Sequence, residues 1–287
     1  MDVDWELRRK TAKECPKWGF TGVDTATCGL WPGQMWIIGG RPGEGKTTLA
    51  LRLALSWAEN NHKIVFFSNE MLKQSLHDQM AGLHFGISRF RIRTGEISEE
   101  EKCDCESFYS YLKTIPLKIY DNFEGTDMAA MMAILHEEKP TIAIVDHLQM
   151  IRGMGPFNNK KRHEEIENIL LAFKEYVMKQ KTSVLLLSQT NRDTDDRPLG
   201  LPLRSDLKDS GAIEQLADGI LLVAWPWKRQ SVSAKPLTFK DDAGENVVFT
   251  ENNYLIYLAK NRYGEDGQKF RVRFEPKHGY FCDEPLR

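Results

Sequence analysis

Gly40-Arg41-Pro42-Gly43-Glu44-Gly45-Lys46-Thr47 fits the pattern G-x-x-x-x-G-K-[ST], and the residues on both sides give it a context. Met35-Trp36-Ile37-Ile38-Gly39 precedes it as a short apolar run that reads as a buried strand. Thr48-Leu49-Ala50-Leu51-Arg52-Leu53-Ala54-Leu55 follows, rich in helix formers. A strand, a glycine turn and a helix make an anion site, because turn amides and the positive end of the helix dipole converge on one point. The pattern implies a bound nucleoside triphosphate. Gly40, Arg41, Gly43, Gly45 and Thr48 line the turn, Lys46 reaches the β- and γ-phosphates, and the Thr47 hydroxyl holds Mg²⁺. The competing reading is a glycine-rich turn that binds nothing.

Outward from this loop, strand-like and helix-like pieces alternate from Trp18 onward. Strands are predicted at Met35–Gly39, Lys63–Ser68, Leu117–Tyr120, Thr141–Asp146, Val184–Ser188, Ile220–Trp225 and Tyr254–Lys260, with Phe270–Phe274 closing the set. Met128, Met131, Met132 and Leu135 recur at helical spacing, as do Ile166, Ile169, Leu170, Phe173 and Val177. The methionines are assigned to core packing rather than to a binding stripe. Such alternation predicts an α/β fold with a mainly parallel sheet and helices on both faces. Lys228 to Asn253 reads as an insertion or hairpin turning at Asp241-Asp242-Ala243-Gly244. Residues 1–15 are polar and helix-prone, with Trp5 and Leu7 as apolar anchors, and are predicted to be a linker or docking arm. Residues 16–287 form one domain.

Composition sets limits. The chain has 287 residues, 41% hydrophobic and 28% charged, with a formal net charge of −2. These values describe an ordinary globular protein. No apolar run approaches the roughly 20 residues of a bilayer span, and Met1-Asp2-Val3-Asp4-Trp5-Glu6 has no signal core, so the cytoplasm is expected. The cysteines at 15, 28, 103, 105 and 282 form no C-x-x-C and are read as free thiols. Near-neutral charge gives no broad basic face, so any contact with nucleic acid must come from local loops.

Ligands of such sheets sit beyond the carboxyl ends of the strands. Asp146 ends the run Thr141-Ile142-Ala143-Ile144-Val145, the Walker B form, in which the acid orders the Mg²⁺ shell. Glu70 follows Ile64–Asn69 and is placed to orient or deprotonate an attacking water; a surface glutamate is the alternative. Gln189, after Val184–Ser188, carries a neutral amide suited to sensing a γ-phosphate without competing for the metal; an ordinary strand-end amide is the alternative. Lys260 and Arg262 flank Asn261, and their two-residue spacing puts both side chains on one face. Across a subunit interface such a pair can present cations to a neighbour's γ-phosphate; in an isolated domain it is an exposed basic pair.

Taken in order, Gly40–Thr47, Ser68-Asn69-Glu70-Met71, Val145-Asp146-His147-Leu148-Gln149, Leu187–Arg192, Leu207–Gln215 and Lys260-Asn261-Arg262 resemble the motifs of DnaB-type replicative helicases. The resemblance runs from about residue 18 to 275, and Ser210-Gly211-Ala212-Ile213-Glu214-Gln215 is its most family-specific part. It implies a RecA-like P-loop NTPase core, a homohexameric ring with ATP between subunits, and single-stranded DNA in the channel. It also implies Glu70 as the catalytic glutamate, Gln189 as the γ-phosphate sensor, and Lys260 and Arg262 acting in trans. The turn holding Lys208, Asp209 and Gly211 would grip the DNA backbone. Lys160, Lys161 and Arg204 could add local positive charge from loops, for which solvated flexible loops are the alternative. His147 stands where the family usually has tyrosine, and Lys208 and Asp209 where Arg and Glu are common. The family's N-terminal helical domain, which engages primase, has no counterpart in this sequence, which reads as a trimmed piece or a compact phage- or plasmid-type relative. The expected activity is therefore that of an ATP-dependent helicase unwinding duplex DNA, with partners for loading or priming left open. Two other classes compete: a RecA- or KaiC-like ATPase or recombinase without unwinding, and a nucleotide-gated assembly module without catalysis.

Overall fold

β1 (Met35–Gly40) runs through the middle of the molecule with every residue buried. The computed structural model describes residues 4–121, 127–153, 162–191, 201–208, 210–230, 237–240 and 246–283. The other strands are β2 (Ile64–Ser68), β3 (Leu117–Tyr120), β4 (Ile142–Asp146), β5 (Ser183–Gln189), β6 (Gly219–Ala224), β7 (Thr238–Lys240), β8 (Asn246–Val248), β9 (Asn253–Asn261), β10 (Gln268–Glu275) and β11 (Tyr280–Asp283). Nine of them form one sheet in the order β11-β10-β9-β6-β1-β5-β4-β2-β3. From β6 to β3 all neighbours are parallel, and β9, β10 and β11 extend the sheet antiparallel.

Ten helices are described: α1 (Trp5–Glu14), α2 (Thr21–Thr27), α3 (Lys46–Glu59), α4 (Lys73–Phe85), α5 (Arg89–Thr94), α6 (Glu99–Leu112), α7 (Met128–Glu138), α8 (Arg162–Gln180), α9 (Ser210–Leu216) and α10 (Trp227–Gln230). Alternation along β1 divides the core in two. Trp36 and Ile38 pack with Leu49 and Leu53 of α3, Met80 of α4 and Phe108 of α6. Met35 and Ile37 pack on the other face with Met131 of α7, Phe173 of α8 and Ile213 of α9. Side chains at successive strand positions point to opposite faces, so a continuously apolar strand needs helices on both sides. Met128, Met131 and Leu135 are core residues, as their spacing predicted, and Met132 is partly buried. Among the described residues no helix is long and apolar enough to cross a membrane.

The structure departs from expectation at one end. Phe270–Phe274 does not close the strand set: β11 follows it, pairing antiparallel with β10. Its four residues are too few to show a period, but Phe281 is fully buried and stacks on Phe274 at 4.5 Å between ring centroids. The hairpin expected between Lys228 and Asn253 is β7 and β8, while its turn at 241–244 lies outside the described residues. α1 has no buried residue, and Trp5 and Leu7 are exposed.

Candidate nucleotide site

The phosphate loop leaves β1 at Gly40 and enters α3 at Lys46. Gly43 and Gly45 have φ of +76° and +84°, a region that costs any residue with a Cβ, so the turn depends on glycine at both places. The Lys46 side chain folds back over the loop, with Nζ donating to the carbonyls of Gly40 at 2.8 Å and Arg41 at 2.9 Å. Burial lowers the Lys46 pKa to about 8, against the opposing pull of Glu44, Asp146 and Glu70. A buried ammonium turned toward main-chain carbonyls has a strong preference for an anionic partner.

Register decides what stands beside the loop. Gly40 pairs with Gln189, and Ser68 pairs with Asp146. Because β1, β5, β4 and β2 are adjacent and parallel, their carboxyl ends deliver the phosphate loop, Gln189, Asp146 and Glu70 to one edge. Thr47 Oγ1 donates to Asp146 Oδ2 at 2.7 Å. Burial raises the Asp146 pKa, with the Thr47 hydrogen bond and the charges of His147 and Lys46 opposing it. Both polar atoms of the Asn69 side chain, at the end of β2, are buried without a hydrogen-bond partner, as is Thr190 Oγ1 past the end of β5. Unpaired polar groups are costly in a protein interior, and these stand at the same strand-end edge as the phosphate loop. A single buried carboxylate beside a threonine hydroxyl suits Mg²⁺, which binds through one or two carboxylates together with substrate phosphates. The donor set therefore fits a triphosphate with Mg²⁺.

Two residues that the sequence reading gave no role also belong to this edge. His147 lies between Glu70 and Gln189, with Nδ1 3.3 Å from Glu70 Oε2 and Nε2 3.1 Å from Gln189 Nε2. Burial lowers its pKa, while Asp146 and Glu70 pull the other way. Lys228, on α10 past the end of β6, donates from Nζ to the Gly43 carbonyl at 2.7 Å. Applying the strand-end argument to β6, the neighbour of β1, would have found it. A cavity of about 440 Å³ opens next to Thr48, bounded by Gln79, Arg89, Phe90, Arg93 and His278.

Lys260 and Arg262 are elsewhere. They share a face, as their spacing predicted: Lys260 Nζ donates to the Glu214 carbonyl and Arg262 Nη2 to the Gln215 carbonyl, both on α9. Ile220 pairs with Lys260 and the Arg262 amide bonds the Asp218 carbonyl, so both residues sit at the start of β6, beside Met35. That is the opposite edge of the sheet from Gly40, roughly 17 Å away at about 3.3 Å per strand residue. Among the expected DNA-contacting residues, Lys208 is exposed and its amide bonds the Gln189 carbonyl at 3.2 Å. A Cβ at Gly211 would meet nothing within 4 Å. Arg204 faces Asp266 at 3.9 Å. Lys160, Lys161 and Asp209 lie outside the described residues.

The model of the DnaB-like helicase C terminal domain matches residues 17–283. A probable replicative DNA helicase of Trieres chinensis is 28% identical over 274 residues, 94% of this chain and 57% of that protein. The replicative DNA helicase DnaB of Geobacillus stearothermophilus is 29% identical over 253 residues, 87% of this chain and 52% of that protein. The chain thus spans little more than half the length of these relatives. Among solved structures, the ATPase domain of G40P superposes with a TM-score of 0.82 at 22% identity, covering 99% of this chain and 100% of that one. Its fold is the RecA-like fold.

Proposed function

The chain belongs to the family of DnaB-like helicase C terminal domains, and from that premise we propose that it is the motor of an ATP-dependent replicative DNA helicase, a homohexamer that moves on single-stranded DNA and unwinds duplex in the cytoplasm. The observation that carries the proposal is the division of parts between the two edges of the sheet. One edge gathers the phosphate loop, Glu70, Asp146 and Gln189, and the other holds Lys260 and Arg262. Within one protomer the cations cannot meet the phosphates. In a ring, head-to-tail packing brings one subunit's cation edge to the next subunit's phosphate edge.

Chemistry follows from these placements. Lys46 and the amides of the Gly40–Thr47 turn bind the β- and γ-phosphates, and the nucleoside lies toward the cavity beside Thr48. Thr47 and Asp146 hold Mg²⁺, which when bound neutralises charge on the phosphate oxygens. Glu70 orients a water and takes its proton as the water oxygen bonds the γ-phosphorus and the bond to the ADP oxygen breaks. Arg262 and Lys260 of the adjoining subunit stabilise the charge that develops on the transferred group. Gln189 hydrogen-bonds the γ-phosphate and, through its own carbonyl, holds the amide of Lys208. Lys208, Asp209 and Gly211 contact the DNA backbone, with Lys160, Lys161 and Arg204 adding charge from neighbouring loops. A bare main chain at Gly211 suits contact with phosphates regardless of sequence.

The test is unwinding of a forked duplex with ATP and Mg²⁺, using each tail polarity, beside a mass measurement of the assembled particle. Unwinding by a six-subunit particle is the expected result. Strand exchange without unwinding would instead place the chain with RecA-like recombinases, and a strictly monomeric particle with full ATPase activity would end the proposal.

A further inference from the structure

The ring of His147 makes two contacts, and together they fix its hydrogen. The amide nitrogen of Gln189 carries two hydrogens and no free lone pair, so it can only donate. At 3.1 Å from it, Nε2 of His147 must present its lone pair. The ring hydrogen therefore sits on Nδ1, the nitrogen 3.3 Å from Glu70 Oε2. The other tautomer would set N–H against N–H on one side and a lone pair against a carboxylate on the other. One imidazole spans the gap between the ends of β2 and β5, with one nitrogen 3.3 Å from Glu70 Oε2 and the other 3.1 Å from Gln189 Nε2.

The two partners differ in how they are held. The main chain of Gln189 is anchored: its backbone N–H donates to Gln149 Oε1 at 3.2 Å, and Gln149 Nε2 donates to Ser188 Oγ at 2.9 Å. The His147 ring is 5% exposed and has little freedom. The Glu70 side chain is 61% exposed, and a long exposed carboxylate samples many rotamers unless something fixes it. His147 Nδ1 stands 3.3 Å from it.

We infer that His147 is a positioning residue that ties the aim of the Glu70 carboxylate to the place of the Gln189 amide. The inference rests on the reading of Glu70 as the water-orienting acid and Gln189 as the γ-phosphate sensor. It adds that the two do not act separately. When the Gln189 side-chain amide turns with the state of the γ-phosphate, the ring loses that contact and the acid loses its orientation. A tyrosine at this position, as in the family this chain resembles, offers one polar atom and cannot bridge two partners through opposite ends of one ring.

The experiment is steady-state ATP hydrolysis by the full chain with Mg²⁺ and single-stranded DNA, comparing wild type, H147A, H147N, H147Q, E70Q and the H147A/E70Q double variant. H147A is expected to lower kcat about 10- to 100-fold while KM changes less than about threefold, because a misaimed base weakens the transition state and not ground-state binding. H147N can still donate to Glu70 and H147Q can still accept from Gln189, so each recovers part of the loss. In the E70Q background H147A is expected to add little, since it acts through the same carboxylate. Binding of a non-hydrolysable ATP analogue checks that each variant folds; if H147A does not, H147N and H147Q must both fall between wild type and E70Q. Wild-type kcat in H147A, an effect confined to KM, or full multiplication of the two losses in the double variant would overturn the inference while wild type still hydrolyses ATP. Failure of the wild type to hydrolyse ATP at all would overturn the ATPase reading itself.

Discussion

Arg262 donates to the carbonyl of Gln215 at 2.9 Å, and that contact holds the guanidinium against the C-terminal end of α9, on the edge of the sheet away from the phosphate loop. Asp218 adds a carboxylate 3.4 Å from Arg262 Nε. If the arginine works on a neighbour's nucleotide, R262A and K46A should each abolish hydrolysis for different reasons. K46A spoils the subunit's own pocket, and R262A spoils the pocket next door. Mixed rings should regain activity, because about a quarter of interfaces then pair an intact phosphate loop with an intact finger. A titration of one variant into the other, followed by ATPase rate, checks this. Normal turnover by R262A alone, with no recovery in mixtures, would remove the trans assignment.

Glu138 makes a second prediction, on stability. Lys118 Nζ bonds its Oε1 at 2.6 Å, Tyr120 Oη donates to the same oxygen at 2.9 Å, and Lys63 Nζ lies 3.1 Å from Oε2. These partners, Lys118 first, hold its pKa down at about 2. A carboxylate whose folded value is depressed stabilises the fold above its unfolded value of about 4.3 and loses that stabilisation as pH falls toward 2. The network joins the end of α7 to β2 and β3, so its loss loosens that edge of the sheet. Urea unfolding at a series of pH values should show E138Q less stable than wild type at pH 7, with the difference shrinking as pH falls below about 4. A constant difference across that range would exclude the ionised carboxylate as its source.

Most of the candidate nucleotide site could be read in the sequence because its parts are local. Gly43 and Gly45 are required by backbone conformation, and Asp146 follows an apolar run whose length sets a strand end. The shared face of Lys260 and Arg262 followed from the two-residue period of a strand. Their distance from the phosphate loop did not, because it depends on β9 running antiparallel two places from β1. His147 was seen only as a departure from tyrosine; its work requires the ends of β2 and β5 to flank β4, which only the strand order supplies. Lys228 was missed because its contact with Gly43 spans 185 positions of sequence. β11 was missed because four residues show no pattern.

Lys46 should add little to stability until nucleotide arrives. Holding its ammonium at about 8 rather than its ordinary 10.5 reflects burial, and a drop of that size corresponds to about 3 kcal/mol. Because the folded value is lowered, the cost is fully present below about pH 8 and disappears only above about 10.5. K46M removes the charge and keeps the apolar stem. The two carbonyl contacts it gives up come from a charged donor and are worth about 1.5–3 kcal/mol each, so they offset the gain. In calorimetry at pH 7, ligand-free K46M should melt close to wild type, whereas ATP with Mg²⁺ should raise the midpoint of wild type only. A K46M protein that melts well below wild type would show that the buried charge is more than compensated inside the loop.

In the proposed motor, Lys208 would join the DNA contact to the nucleotide site. Its side chain is exposed, while its amide is bonded to the carbonyl of Gln189 and Leu207 bridges to Thr190, so the turn is fastened to the end of β5. Cation–phosphate contacts release counterions, so each one lost flattens the salt dependence of binding to single strands by about 0.7. K208A should weaken binding to oligonucleotides of any sequence by a similar factor, reduce that slope, and lower the stimulation of ATP hydrolysis by DNA. Fluorescence anisotropy at several salt concentrations measures the first two, and ATPase assays with and without DNA measure the third. The turn's fastening to Gln189 makes a further distinction possible. If Lys208 served only as a tether for β5, K208A would leave the salt slope unchanged, because its main-chain bonds survive the substitution. A slope that falls, with affinity lost evenly across sequences, ties the side chain to the phosphate backbone.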